Sequence, residues 1–175
     1  MTCIAALVQD GKAYIAGDRG ASDGDVIMSI ENPKVWRHGE YLLGYYGTMH
    51  GEILQNFFEP PKVSGPVDKF MKTTFRKALK SLYEEWNLRD EEKDFGLIIC
   101  VRGKIYEHNG SDLSMTTYDS SFLASGSGGS YAMGSLYSTQ NYKDPKKRLR
   151  IALESAVEYS ASCRGPIDIL SDEEK

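Results

Sequence analysis

Directly behind Met1 stands a threonine, at the head of the apolar run TCIAALV. A threonine hydroxyl is a poor nucleophile until a base takes its proton. An α-amino group has an ordinary pKa of about 7.7–8.0, so part of it is free base near neutral pH. Removal of Met1 would put nucleophile and base on one residue, Thr2. The plain alternative makes Thr2 the first residue of a strand and nothing more. Two charges follow at equal steps: Asp18 in AGDRG, sixteen residues after Thr2, and Lys34 in NPKV, sixteen further on. An ammonium close to Thr2 would lower the hydroxyl pKa and stabilise the alkoxide as it forms. A carboxylate would hold that ammonium and offset the cost of burying it. Without Thr2, Asp18 and Lys34 read as a structural ion pair or as two unrelated surface charges. GSGG at 126–129 has the look of a phosphate loop but lacks the spacing of a dinucleotide fingerprint. His38, His50 and His108 have no metal-ligand spacing, so no metal or other cofactor is expected. There is no G-x-S-x-G elbow and no P-loop.

The elements that must position these residues can be read coarsely. The chain has 175 residues, which suits one domain over 1–175 with an acidic tail at 170–175. A formal net charge of −4 without a basic stripe argues against nucleic acid as a partner. No apolar run is long enough to cross a bilayer, and no signal peptide is visible. Cys3, Cys100 and Cys163 are an odd, scattered set, which fits a reducing cytoplasm. Strands are expected at 3–8 and 13–16 around the Asp10-Gly11 turn, then at 26–28, 35–36 and 41–46. Gly20 and Gly24 mark a loop. A short helix over 51–58 stops at Pro60-Pro61. A longer one starts near Asp68, with Val67, Phe70, Met71, Thr74, Ala78, Leu79, Leu82 and Trp86 on its apolar face. FGLIICV reads as a strand buried on both faces, turned by RGK into IYEH. A helix follows from Tyr131 to about Ser138. Asp144-Pro145 opens the last one, with aspartate as N-cap and proline at the first helical position. IDIL is a final strand. Strands alternating with helix pairs suggest stacked layers with helices outside the sheets.

Together, Thr2, Asp18, Lys34 and GSGG resemble the proteasome β-subunit family of N-terminal-nucleophile hydrolases, and most of all its HslV-type bacterial branch. GTMHGE at 47–52 is similar to the family's glycine turn into its first helix, GSGGSYAMG at 126–134 to its second glycine turn, and SASCRGPIDIL to its last helix-to-strand passage. The resemblance implies an α+β fold, a four-layer αββα sandwich of two antiparallel sheets between helix pairs. It implies a threonine-type endopeptidase acting inside a ring of identical subunits, on peptides or on unfolded protein fed by an ATP-dependent unfoldase. By the same resemblance Gly47 supplies an oxyanion amide, and Ser127 bonds the Thr2 amine and relays its proton. Ser22 pairs with the extended substrate. Tyr45, Tyr46 and Met49 wall the specificity pocket, and Ser162 supports the amine.

The sequence also departs from the family. Where many members carry Arg-Asp before the last turn, Glu158-Tyr159 stands here. Two other readings of the same fold are an amidase of small molecules and a non-catalytic subunit. An N-terminal threonine in a compact chain disfavours the first. A strand beginning at residue 2 disfavours a shell subunit of the α type, while an inactive β-type subunit that keeps Met1 stays open.

Overall fold

A computed structural model of the chain describes residues 2–172. Met1 and the end of the acidic tail, 173–175, lie outside the described residues. The order is β1 (Ile4–Gln9), β2 (Lys12–Gly17), β3 (Gly20–Ser22), β4 (Ile27–Ser29), β5 (Val35–His38) and β6 (Tyr41–Gly47). Three helical segments follow, α1 (Glu52–Phe57), α2 (Val67–Phe70) and α3 (Arg76–Glu85), the last two joined by a π-helical stretch at Met71–Phe75. Then come β7 (Phe95–Val101), β8 (Lys104–Asn109), β9 (Met115–Thr116), β10 (Phe122–Ser125), α4 (Gly129–Ser138), α5 (Pro145–Tyr159) and β11 (Asp168–Ser171).

All strand pairs are antiparallel. One sheet has the order β10-β1-β2-β11, the other β5-β6-β7-β8-β9, and β3 and β4 form a separate hairpin. Strand alternation explains the layers, because successive side chains point to opposite faces. Ile4, Ala6, Ile15, Leu42, Ile98 and Cys100 form the apolar seam between the sheets. Ala5, Leu7 and Ala16 point the other way and bury against Leu136, Leu149 and Leu153 of α4 and α5. Leu43, Tyr45, Leu97 and Ile99 do the same against Phe70, Phe75, Leu79 and Leu82. The result is a four-layer αββα sandwich.

Three readings of the sequence shift. Gly20–Ser22 is a strand rather than a loop. Phe122–Ser125, which carries no alternation of its own, pairs with β1 along Ile4↔Ser125 to Leu7↔Phe122. The π-helical stretch moves the apolar face of the long helix by one residue. Phe75 is buried in place of Thr74, and Trp86 is left exposed, packed at a tilt against Phe57 with ring centroids 4.4 Å apart. Asp144 caps α5 as its sequence suggests, accepting from the Lys147 amide at 3.0 Å.

His108 of β8 is fully buried. Its Nδ1–H donates to the Ser114 carbonyl at 2.8 Å, which leaves Nε2 to accept from the Tyr83 hydroxyl at 3.0 Å. Burial favours this neutral ring and lowers its pKa from 6.5 to about 4. Between those values the unfolded chain binds a proton that the folded chain does not. Stability from this group is therefore full above pH 6.5 and falls as pH drops towards 4, by roughly 3 kcal/mol in all. Denaturant titrations at pH 7 and pH 4.5 should show this loss, and His108→Gln should flatten that part of the profile.

Candidate active site

The β1–β2 hairpin brings the first functional residues together. Its register sets Ile4 opposite Gly17, so the residues just beyond, Cys3 and Asp18, face each other at one end of the sheet. Two bonds close that end: the Asp18 amide donates to the Cys3 carbonyl at 3.2 Å, and the Cys3 amide donates to Asp18 Oδ1 at 2.9 Å. The β1–β10 register sets Ile4 opposite Ser125, which carries the following Gly126-Ser127 turn to the other flank of Thr2. Lys34 arrives from the second sheet, immediately before β5, its carbonyl held by the Tyr45 amide at 3.1 Å.

Thr2, Asp18 and Lys34 are all buried, at 1%, 0% and 0% exposure. Lys34 Nζ donates to Thr2 Oγ1 at 2.9 Å, to Asp18 Oδ1 at 3.3 Å and to the Gly20 carbonyl. Asp18 Oδ2 accepts from the Gly20 amide at 2.8 Å and the Arg164 amide at 3.0 Å. One carboxylate thus ties the start of the chain, the entry to β3 and the approach to β11 to a single lysine. Burial pulls the Lys34 pKa below its ordinary value, and the adjoining Asp18 charge opposes that fall. Burial also pushes the Cys3 and Cys163 thiols up, which keeps both protonated.

The Thr2 nitrogen donates to Ser127 Oγ at 3.1 Å. The Ser127 hydroxyl in turn donates to the Thr2 carbonyl at 3.3 Å, and the Gly128 amide donates to that carbonyl at the same distance. Gly126 makes the approach possible. Its φ is +94°, and a Cβ there would lie 2.2 Å from the Thr2 carbonyl oxygen. Gly47 closes β6 with φ +97°, where a Cβ would lie 2.6 Å from the Asp94 carbonyl oxygen. Gly47, Thr48, Met49, Ala21, Ser22 and Ser127 line an open cleft of about 420 Å³ beside Thr2. Ser127, one of its walls, is the residue whose hydroxyl accepts from the Thr2 nitrogen.

Of the residues expected at the substrate, Ser22 and the 41%-exposed Met49 line this cleft. Tyr45 does not: it is 2% exposed in the core under the helices. Tyr46, one step along the strand, faces the opposite side and sends its hydroxyl to Glu107. Ser162 is half-buried, and its amide donates to Ser160 Oγ at 3.4 Å. The next residue, Cys163, is buried, and its amide donates to the Ser160 carbonyl at 3.2 Å. Arg164, missed altogether, contributes through its backbone amide, which no side-chain pattern can announce.

None of the known family profiles matches the chain. It is 26% identical over 165 residues to the ATP-dependent protease subunit HslV of Enterococcus faecalis, covering 91% of this chain and 87% of that one. Among solved structures it is similar to Thiobacillus denitrificans BPH in complex with epoxomicin, with a TM-score of 0.80 at 23% identity and 97% of each chain covered. It is also similar to the eukaryotic HslV of Trypanosoma brucei, with a TM-score of 0.72 at 18% identity, covering 97% of this chain and 98% of that one.

Proposed function

We propose that this chain, a relative of the HslV-type members of the proteasome β-subunit family, is a threonine peptidase whose nucleophile is Thr2 Oγ1 once Met1 has been removed. The observation that carries the reading is the pair of contacts at Thr2. Lys34 Nζ lies 2.9 Å from the hydroxyl oxygen, and Ser127 Oγ lies 3.1 Å from the nitrogen. With Met1 present that nitrogen is an amide and cannot accept a proton. Cleavage before Thr2 turns it into an amine, already seated on Ser127.

The steps follow from the groups in place. The Thr2 amine takes the hydroxyl proton, directly or through Ser127, as Oγ1 attacks the substrate carbonyl carbon. Lys34 faces Oγ1 and stabilises negative charge as it forms there. The oxyanion that develops on the substrate turns towards the Gly47 amide at the mouth of the cleft. Collapse expels the new amine, which takes the proton from the Thr2 ammonium, and leaves an ester on Oγ1. Water, deprotonated by the same amine, hydrolyses that ester and restores Thr2. Asp18 acts through Lys34 by fixing the ammonium.

An unguarded nucleophile of this kind would endanger neighbouring proteins. The same reading therefore includes a closed homo-oligomeric ring in the cytoplasm, with the Thr2 sites on an inner chamber. Rings are the symmetric closure of head-to-tail contacts. An ATP-driven unfoldase would unfold protein substrates and thread them in, while short peptides would enter unaided.

The test couples an intact mass to turnover. The purified protein should lack the mass of Met1, release a fluorophore from short peptide amides, and gain one adduct from an epoxyketone that bridges amine and hydroxyl. A processed chain that did none of the last two would overturn the reading.

A further inference from the structure

Two glycine turns frame the cleft, and a single carboxylate reaches the residue before each. Gly47 ends β6, and Tyr46 precedes it. Gly126-Ser127 follows β10, and Ser125 precedes it. Tyr46 donates its hydroxyl to Glu107 Oε1 at 2.6 Å, and Ser125 donates to the same oxygen at 2.5 Å. Tyr118 donates to Oε2 at 2.5 Å. Glu107 is half-buried on β8 of the second sheet, whereas Ser125 lies at the end of β10 in the first. The contact therefore crosses from sheet to sheet at the rim where the site opens.

The local sequence makes room for this crossing. Gly96, the β7 partner of Tyr46, has no side chain, and a Cβ there would strike the Tyr46 ring at 2.1 Å. The two turns touch at the same place: a Cβ on Gly126 would lie 3.3 Å from Tyr46 Cβ. Burial and the bond to Glu107 hold the Tyr46 phenol protonated, so it remains a donor. Hydrogen bonds to an ionised acceptor are about twice as strong as neutral ones, and a shared acceptor fixes both donors at one point.

We propose that Glu107 is a positioning residue that sets the spacing between the Gly47 turn and the Gly126-Ser127 turn. Through Tyr46 it fixes the oxyanion side of the cleft, and through Ser125 it fixes the hydroxyl that holds the Thr2 nitrogen. The proposal rests on the threonine-peptidase reading for its catalytic consequence, but its structural content stands apart from that reading.

The experiment compares wild type, Glu107→Ala, Glu107→Gln, Tyr46→Phe, Ser125→Ala and Tyr118→Phe by peptide-amide kinetics and amide hydrogen exchange. Misplacing reacting groups by about 1 Å can cost on the order of a hundredfold in rate. Glu107→Ala should accordingly lower kcat at least about tenfold, with KM changed less than about twofold. Glu107→Gln keeps an acceptor oxygen for Tyr46 and Ser125 and should restore most of kcat. Tyr118→Phe, which leaves both arms in place, should stay near wild type. Tyr46→Phe and Ser125→Ala should each lose part of kcat, and neither should add much to Glu107→Ala. Exchange in Glu107→Ala should quicken at 46–48 and 125–128 together. Unchanged kcat in Glu107→Ala, or exchange that quickens at neither turn, overturns the proposal. If Glu107→Ala does not fold, Tyr46→Phe and Ser125→Ala decide by the same readings. If wild type itself turns over no peptide, the function reading fails, while the exchange comparison still decides for or against Glu107.

Discussion

Thr2→Ala, processed to begin at residue 2, should fold as wild type does and hydrolyse no peptide. The fold survives because Lys34 keeps Asp18 Oδ1 and the Gly20 carbonyl as acceptors. The lost hydroxyl removes one hydrogen bond, worth about 1 kcal/mol net. Turnover has no such reserve. Without Oγ1 there is no atom to carry the ester, and deleting a nucleophile from a unit of this kind costs about ten-thousandfold or more in kcat. Labelling by an epoxyketone should vanish with it. Thr2→Ser retains hydroxyl and amine and should keep measurable activity. Peptide hydrolysis by processed Thr2→Ala at the wild-type rate would return Thr2 to its plain role as the start of a strand.

Lys34→Ala should abolish hydrolysis about as fully, but with a different signature in stability. Its ammonium faces Oγ1 at 2.9 Å and supplies the positive charge there. Removing it also leaves the Asp18 carboxylate buried without its counter-charge. Breaking a buried pair from one side costs about 3–5 kcal/mol. Three backbone amides, of Cys3, Gly20 and Arg164, still satisfy Asp18, so the loss should sit at the lower end of that range. Thermal unfolding alongside peptide turnover separates the two variants. Thr2→Ala is inert and stable, whereas Lys34→Ala is inert and weakened. Activity in Lys34→Ala within tenfold of wild type would remove the lysine from the chemistry.

Much of this arrangement was legible in the residues. The layers follow from alternation in the long strands and from the stripe on the long helix. The register of Thr2, Asp18 and Lys34 reflects a tight hairpin followed by a short excursion of fixed length. The illegible parts have specific causes. β10 has no pattern of its own and exists because β1 offers it an edge. The π-helical stretch adds a residue that helical periodicity cannot foresee, which moved Thr74 out and Phe75 in. The resemblance puts both Tyr45 and Tyr46 at the specificity pocket, because a family likeness gives a position along the chain and not the face of the strand. In a strand they must part, and here neither lines the cleft. The bond from the Arg164 amide to Asp18 spans 146 positions of sequence and uses no side chain of Arg164.

The many attachments of Asp18 bear on how such a site can be lost over generations. Its oxygens join residues 3, 20, 34 and 164, so the carboxylate is anchored by folding as well as by chemistry. In a descendant that had abandoned hydrolysis, selection for a stable chain alone would go on conserving Asp18 and Lys34. The Thr2 hydroxyl and Ser127, which do not tie four distant segments together in this way, would drift first. Among distant homologues the ion pair is therefore a poor marker of a living enzyme, and the residues around the Thr2 nitrogen are the better one.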